Sequence, residues 1–212
     1  CVIPADPAAA WGAGRTSLTL DNRNLVGILP NLCEAFPKLK VLNLNSNQEL
    51  TAGPVPVWLK ECEALQDVRM GNTNRNGDLD AALQTLKPLK ETLQVVHLHG
   101  NPFNAGGLPN AIADLTKLSV LTLGGTRRTG NMKTFLTVLL PLKATLQQLA
   151  IEANPFDDGP VPEVLGQFPL LTRLNLRTTR RTGSMEDAFT VLESLNATLV
   201  QLTLHDNPGF EE

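Results

Sequence analysis

The side chains best suited to ligand chemistry in this 212-residue chain are its three histidines, His97, His99 and His205. The first two lie in Val95-Val96-His97-Leu98-His99, an apolar, β-branched stretch that reads as a strand. Two residues apart on a strand, they share one face with Cα atoms roughly 7 Å apart. A second set is cationic: Arg69, Arg173 and Arg177, and a recurring loop that carries Arg75, then Arg127 and Arg128, then Arg180 and Arg181. A guanidinium grips carboxylate or phosphate with two parallel hydrogen bonds. No nucleophilic set emerges. There is no Gly-x-Ser-x-Gly, no Gly-rich phosphate loop with Lys, and no Cys–His pair in a plausible order. Asp157-Asp158 reads as a turn signal without a catalytic partner. The chain is therefore expected to be no enzyme and to need no cofactor.

The elements that must position these residues are repeated. Leu118-Ser-Val-Leu121-Thr-Leu123-Gly-Gly-Thr126-Arg-Arg-Thr-Gly130-Asn-Met132 returns 53 residues later as Leu171-Thr-Arg-Leu174-Asn-Leu176-Arg-Thr-Thr179-Arg-Arg-Thr-Gly183-Ser-Met185. Within that period lies a shorter phrase, Leu-x-x-Leu-x-Leu-x-x-(Asn or Thr), starting at Leu39, Leu65, Leu93, Leu118, Leu146, Leu171 and Leu199. A weaker copy with Leu18 and Leu20 precedes them. Short units close the phrase with Asn47, Asn101, Asn154 and Asn207; long units close it with Thr73, Thr126 and Thr179. Periods of this length signal a solenoid, in which no unit can bury its apolar face alone. Leu-x-Leu gives each unit a short strand with one face inward. The ninth-position Asn is expected to satisfy turn backbone in a ladder, and the Thr units to close differently, through the Arg-rich loop.

These phrases resemble the leucine-rich repeat family over nearly the whole chain. The short units add Gly53-Pro-Val-Pro56, Gly107-Leu-Pro109 and Gly159-Pro-Val-Pro162, which look like the Gly-x-(Ile/Val)-Pro segment of plant-type repeats; Gly27-Ile-Leu-Pro30 fits too. The long units instead carry apolar residues at helical spacing: Leu79, Leu83 and Leu86, then Phe135, Val138, Leu139 and Leu142, then Phe189, Leu192 and Leu195. The resemblance implies an α/β fold: one right-handed solenoid with a parallel concave β-sheet and convex helices or 3₁₀ turns. It also implies recognition by the concave face. The whole chain, 1–212, reads as one domain: a cap remnant over 1–14, seven repeats over 15–198 and an incomplete, uncapped last repeat over 199–212. Cys1 with Trp11-Gly12 looks like the cap that opens plant extracellular repeats, although Ala13 and Gly14 stand where a second Cys would follow.

Composition narrows the classes. A net charge of −3 argues against a generic nucleic-acid binder. No apolar run is long enough to span a bilayer. Aromatic residues are only 4%, which suits a core built from Leu ladders. Cys33 and Cys62 fall at core positions of neighbouring units and are expected as free buried thiols rather than a bridge. The compartment stays open, with an extracellular or lumenal one favoured. Asn196-Ala-Thr198 is a sequon whose Asn stands where the sister unit has Lys143, a solvent-facing position that carries a glycan if the chain is secreted.

The outward positions of the strands define the candidate working surface: Arg69, His97, His99, Thr122, Glu152, Arg173, Arg177 and His205. Gly71, Gly100, Gly124 and Gly125 surround His99 and predict a shallow dip floored by backbone. Three readings compete: plain solvated polar positions, a patch for a protein loop, peptide or glycan, and a metal site. Glu152 lies two strands from His99, roughly 10 Å away, which argues against zinc. Arg75, Arg127, Arg128, Arg180 and Arg181 define a possible anion or partner stripe; the alternative is pairing with nearby Asp or Glu, or stacking over Thr and Met. Partners are expected to be proteins, with a scaffold subunit of a larger complex as the runner-up. Carbohydrate or surface binding ranks last, because the row Thr19, Asn43, Thr122, Asn175 and Thr203 is broken by Arg69, His97 and Ala150.

Overall fold

The computed structural model describes residues 2–4 and 6–210. Eight three-residue strands form one parallel sheet in sequence order: β1 (Ser17–Thr19), β2 (Val41–Asn43), β3 (Asp67–Arg69), β4 (Val95–His97), β5 (Val120–Thr122), β6 (Gln148–Ala150), β7 (Arg173–Asn175) and β8 (Gln201–Thr203). Each Leu-x-Leu phrase is in register with its neighbours, so Leu42, Val68, Val96, Leu121, Leu149 and Leu174 stack as one buried row. Parallel strands need a return path. In the long units that path is helical: α3 (Leu79–Leu86), α4 (Met132–Val138) and α5 (Met185–Leu192). Asp78, Asn131 and Ser184 cap their first turns. The short units return through 3₁₀ segments, Val57–Glu61, Asn110–Asp114 and Glu163–Gln167. Each follows a Pro (Pro56, Pro109, Pro162). The first unit differs, with a four-residue α-helix, α2 (Leu32–Ala35). Ahead of it, α1 (Pro7–Trp11) stacks Trp11 on buried Phe36. Cys1 lies outside the described residues.

The ninth-position asparagines are fully buried. Asn154 donates to the Ile151 carbonyl of its own unit at 3.0 Å and to the Leu123 carbonyl of the preceding unit at 2.8 Å. Its Oδ1 accepts from Thr126 N at 3.1 Å and Arg128 N at 2.8 Å. Asn47, Asn101 and Asn207 repeat the pattern one module earlier or later. Asn101, Asn154 and Asn207 therefore tie a short unit to the long unit before it, and Asn47 ties its short unit to the first unit. Threonine cannot span that gap: Thr73, Thr126 and Thr179 each use one hydroxyl on a carbonyl three residues back, at 2.6 Å.

The remaining junctions are closed by arginine, which revises the expected Arg stripe. Arg75, Arg128 and Arg181 are buried, not surface cations. Arg75 donates Nε to Thr73 O at 3.0 Å, Nη1 to Pro54 O at 3.3 Å and Nη2 to Thr51 O at 2.5 Å. Arg128 does the same with Thr126, Gly107 and Asn104, and Arg181 with Thr179, Pro160 and Asp157. Each ties a long unit to the short unit before it. Burial lowers all three guanidinium pKa values, yet a guanidinium stays charged. Their partners are main-chain carbonyls, neither anions nor the side chains considered from sequence. Only Arg127 and Arg180 of the stripe stay exposed. Both have φ 62°, which turns the chain so that the next Arg points inward.

Cys33 and Cys62 form a disulfide, which corrects the reading of free core thiols. Their template positions differ by one helical turn, and stacking adjacent units brings the two Cα atoms to 5.1 Å. The bridge crosses the first two units and closes a loop of 29 residues, contributing about 3–4 kcal/mol in the loop-entropy account.

Two outcomes follow for stability. Replacing Asn154 by Ala leaves two buried N–H groups and two buried carbonyls short of partners, and is expected to cost about 3–4 kcal/mol in urea unfolding. Arg128→Ala is expected to cost about 2–4 kcal/mol, whereas Arg127→Ala stays within about 0.5 kcal/mol in the same measurement.

Candidate functional site

The outward rows of the sheet run along one face. Register places Arg69, His97, Thr122, Ala150, Asn175 and Thr203 side by side on successive strands. A second row follows two residues on, with Gly71, His99, Gly124, Glu152, Arg177 and His205 at equivalent positions. The structure brings Arg69, His97, His99, Thr122 and Glu152 into one continuous patch. Arg173, Arg177 and His205 lie towards the last strands and are exposed.

Much of the charge on this face is already matched. Arg69 holds Asp67 with two nitrogens, Nε to Oδ1 at 2.9 Å and Nη2 to Oδ2 at 2.7 Å. Its pKa rises, chiefly through that hydrogen bond. Arg177 meets Asp206 at 2.7 Å, and His205 approaches the same carboxylate at 3.2 Å. These two contacts hold Asp206 below the usual carboxylate range, Arg177 first. No residue bonded to the Arg173 guanidinium is found among the described residues.

The two histidines are neutral. Their rings meet edge-on at 6.0 Å. Burial pushes His97 down to about 4, with Arg69 and His99 adding to the effect. Burial also lowers His99, against an opposing pull from Glu152. His99 Nδ1 lies 3.0 Å from Thr122 Oγ1, which fixes the ring across strands.

The expected dip around His99 is not where the glycines placed it. The His99 ring occupies the space over Gly71, and the Glu152 carboxylate occupies the space over Gly124. A Cβ at either glycine would overlap these groups. The Asn72 amide covers Gly100 in the same way. Gly71 and Gly124 are thus seats for long side chains of the next unit, and Gly100 for one of the preceding unit. The hollow lies instead at Ala150, where a small residue interrupts the row. It encloses about 170 Å³ and is lined by Thr122, Gln148, Arg173, Asn175, Gln201 and Thr203. Sequence reasoning noted Ala150 only as a break in the Thr/Asn row. Gln148 and Gln201 are not among the candidate residues read from the sequence. Their signal was present, since all of these are outward strand positions next to the single Ala of the row. No group of three or more His, Cys, Asp or Glu able to hold a metal occurs among the described residues.

No established family profile matches the chain. One curated relative, the receptor protein-tyrosine kinase CEPR1 of Arabidopsis thaliana, is 31% identical over 107 residues, which is 50% of this chain and 10% of that protein. Among solved structures, the PEPR1–AtPEP1 complex matches 86% of this chain and 24% of the other, with TM-score 0.63 and 26% identity. The leucine-rich repeat ectodomain of the plant membrane receptor kinase GASSHO1/SCHENGEN3, in complex with CASPARIAN STRIP INTEGRITY FACTOR 2, matches 95% of this chain and 25% of its own, with TM-score 0.69 and 24% identity. The chain therefore spans between a tenth and a quarter of the length of these proteins. The repeat phrase, the eight-stranded parallel sheet and these structures together identify the fold as a leucine-rich repeat solenoid.

Neutral His97 makes a pH prediction. The unfolded imidazole takes a proton near its ordinary value of about 6.5, while the folded one waits until about 4. Between these values the unfolded state binds more protons, so stability falls as pH drops through that window. Urea unfolding of the native protein and His97→Gln across pH 4–7 should show the steeper acid loss in the native protein.

Proposed function

We propose that this leucine-rich repeat protein is a non-catalytic recognition module that receives an extended segment of a protein or peptide partner on its concave face. The observation that carries the reading is the Ala150 hollow. It sits on the rigid parallel sheet and is bounded by hydroxyls, amides and Arg173, unpaired among the described residues, which suit main-chain carbonyl and N–H groups. The structural likeness to complexes such as PEPR1–AtPEP1 supports it. Arg69, His97, His99, Thr122, Glu152, Arg173, Arg177 and His205 form the surrounding face. Arg127 and Arg180 remain as exposed cations at the edge of the partner surface. The kinase activity in the name of the curated relative is not carried over to this chain.

An extracellular or lumenal setting accompanies this reading. The Cys33–Cys62 bridge suits an oxidising compartment, and Asn196 is exposed as an acceptor for a glycan. No helix among the described residues is long and apolar enough to cross a membrane. The scaffold alternative draws on a different observation: Met185, Phe189 and Val200 leave apolar surface exposed around a hollow of about 800 Å³.

A photo-crosslinker placed at Thr122 is expected to capture the partner from its source, and Ala150→Arg, which fills the hollow, is expected to weaken that capture about tenfold or more. Cross-links confined to the surface around Phe189, with Thr122 silent, would replace the recognition reading by the scaffold one.

A further inference from the structure

We propose that Glu152 is an anchor for a cationic side chain, an Arg or a Lys, carried by the polypeptide that occupies the concave face. This rests on the recognition reading above and adds the chemistry of one contact. Glu152 Oε2 is withdrawn from solvent, and no hydrogen-bond donor reaches it among the described residues. A buried acceptor of this kind costs about 1–3 kcal/mol, more when charged, until a donor satisfies it. No cation among the described residues bonds to it, exposed Arg173 included. Arg69 is taken by Asp67, and Arg177 by Asp206. His97 and His99 are neutral because burial disfavours their charged forms. Of the acidic residues on these rows, Asp67 is paired and Asp21 is exposed. Among the described residues, Glu152 is left as the half-buried carboxylate of this face with no bonded cation.

Its placement is also built. Gly124 lacks the side chain that would evict the carboxylate, so Glu152 lies flat across the neighbouring unit. Thr122, fixed by His99, stands on the strand of that same unit, and the Ala150 hollow opens on the strand that leads into Glu152. A polypeptide seated over Ala150 thus passes within side-chain reach of Glu152. A guanidinium fits best, because its planar fork meets both carboxylate oxygens once the side chain turns Oε2 out of its shielded position.

The test pans displayed random peptides against the immobilised protein and measures the enriched peptides by fluorescence anisotropy. The expected result is enrichment of Arg or Lys at one position. Replacing that Arg by citrulline (or, where Lys is enriched, that Lys by its acetylated form) should weaken binding to the native protein about tenfold. Glu152→Gln, which keeps the shape, should weaken it equally and abolish the effect of the neutral replacement. Losses that simply add, or no loss in Glu152→Gln, overturn the proposal. The two readings fail separately: enriched peptides that cross-link from Thr122 but show additive losses reject only the cationic anchor. Peptides that never cross-link from Thr122 reject the concave-face reading together with it. Thermal unfolding of Glu152→Gln verifies that its fold is unchanged, and the neutral peptide replacement reads the same contact without any change to the protein.

Discussion

Each unit of this solenoid must turn its strand out of the sheet inside a dry core, and the main-chain groups of that turn must find partners there. An unpaired buried N–H or carbonyl costs as much as a lost hydrogen bond. Asparagine meets this demand with two donors and an acceptor on a short stem. Asn101 shows the economy: its amide nitrogen reaches Met70 O and Leu98 O, while its oxygen takes Thr73 N and Arg75 N. One side chain therefore satisfies turn groups in two units and sets their relative position.

The two-unit period follows from the same demand. An Asn that reaches backward closes the junction ahead of every short unit. The junction ahead of each long unit needs another device, supplied by the buried arginines. Arg75, Arg128 and Arg181 reach across to carbonyls of the Gly-Pro or Gly-Leu-Pro segment of the short unit and of the loop just before it. Asn and Arg thus alternate along the stack. Left-handed residues make this possible: every unit has one at the residue before the ninth position, including Thr178 at φ 53° and Ala153 at φ 51°. Gly100 and Gly125 occupy that position without penalty; the others are held there by the network.

The rigidity of this frame gives the concave face its meaning. Strand register fixes which side chains adjoin, and long side chains then lie over the small residues of the preceding unit. His99 over Gly71 and Glu152 over Gly124 are the same arrangement with different chemistry. One brings in a ring that burial keeps neutral; the other brings in a carboxylate with an oxygen left unpaired. Interruption of a row by Ala150 leaves an open hollow, whereas interruption by glycine is filled from within.

The sequence by itself determined the fold class, the strand register and the outward rows. All of these follow from local periodicity, and stacking identical phrases leaves one register that buries Leu. It also marked the helical return of the long units; that the short units return through 3₁₀ segments, and the first unit through a short α-helix, came from the structure. Tertiary structure decided what spacing along one chain could not carry. Arg127 and Arg128 are adjacent and alike in type, yet one is solvated and the other caged by carbonyls of a different unit. Cys33 and Cys62 are ordinary core positions until two units stack and bring them to 5.1 Å at Cα. The glycines around His99 read as a hollow because their own side chains are missing, but what fills that space comes from a neighbouring unit. In each case the deciding contact joins residues more than twenty positions apart, and it is formed by stacking.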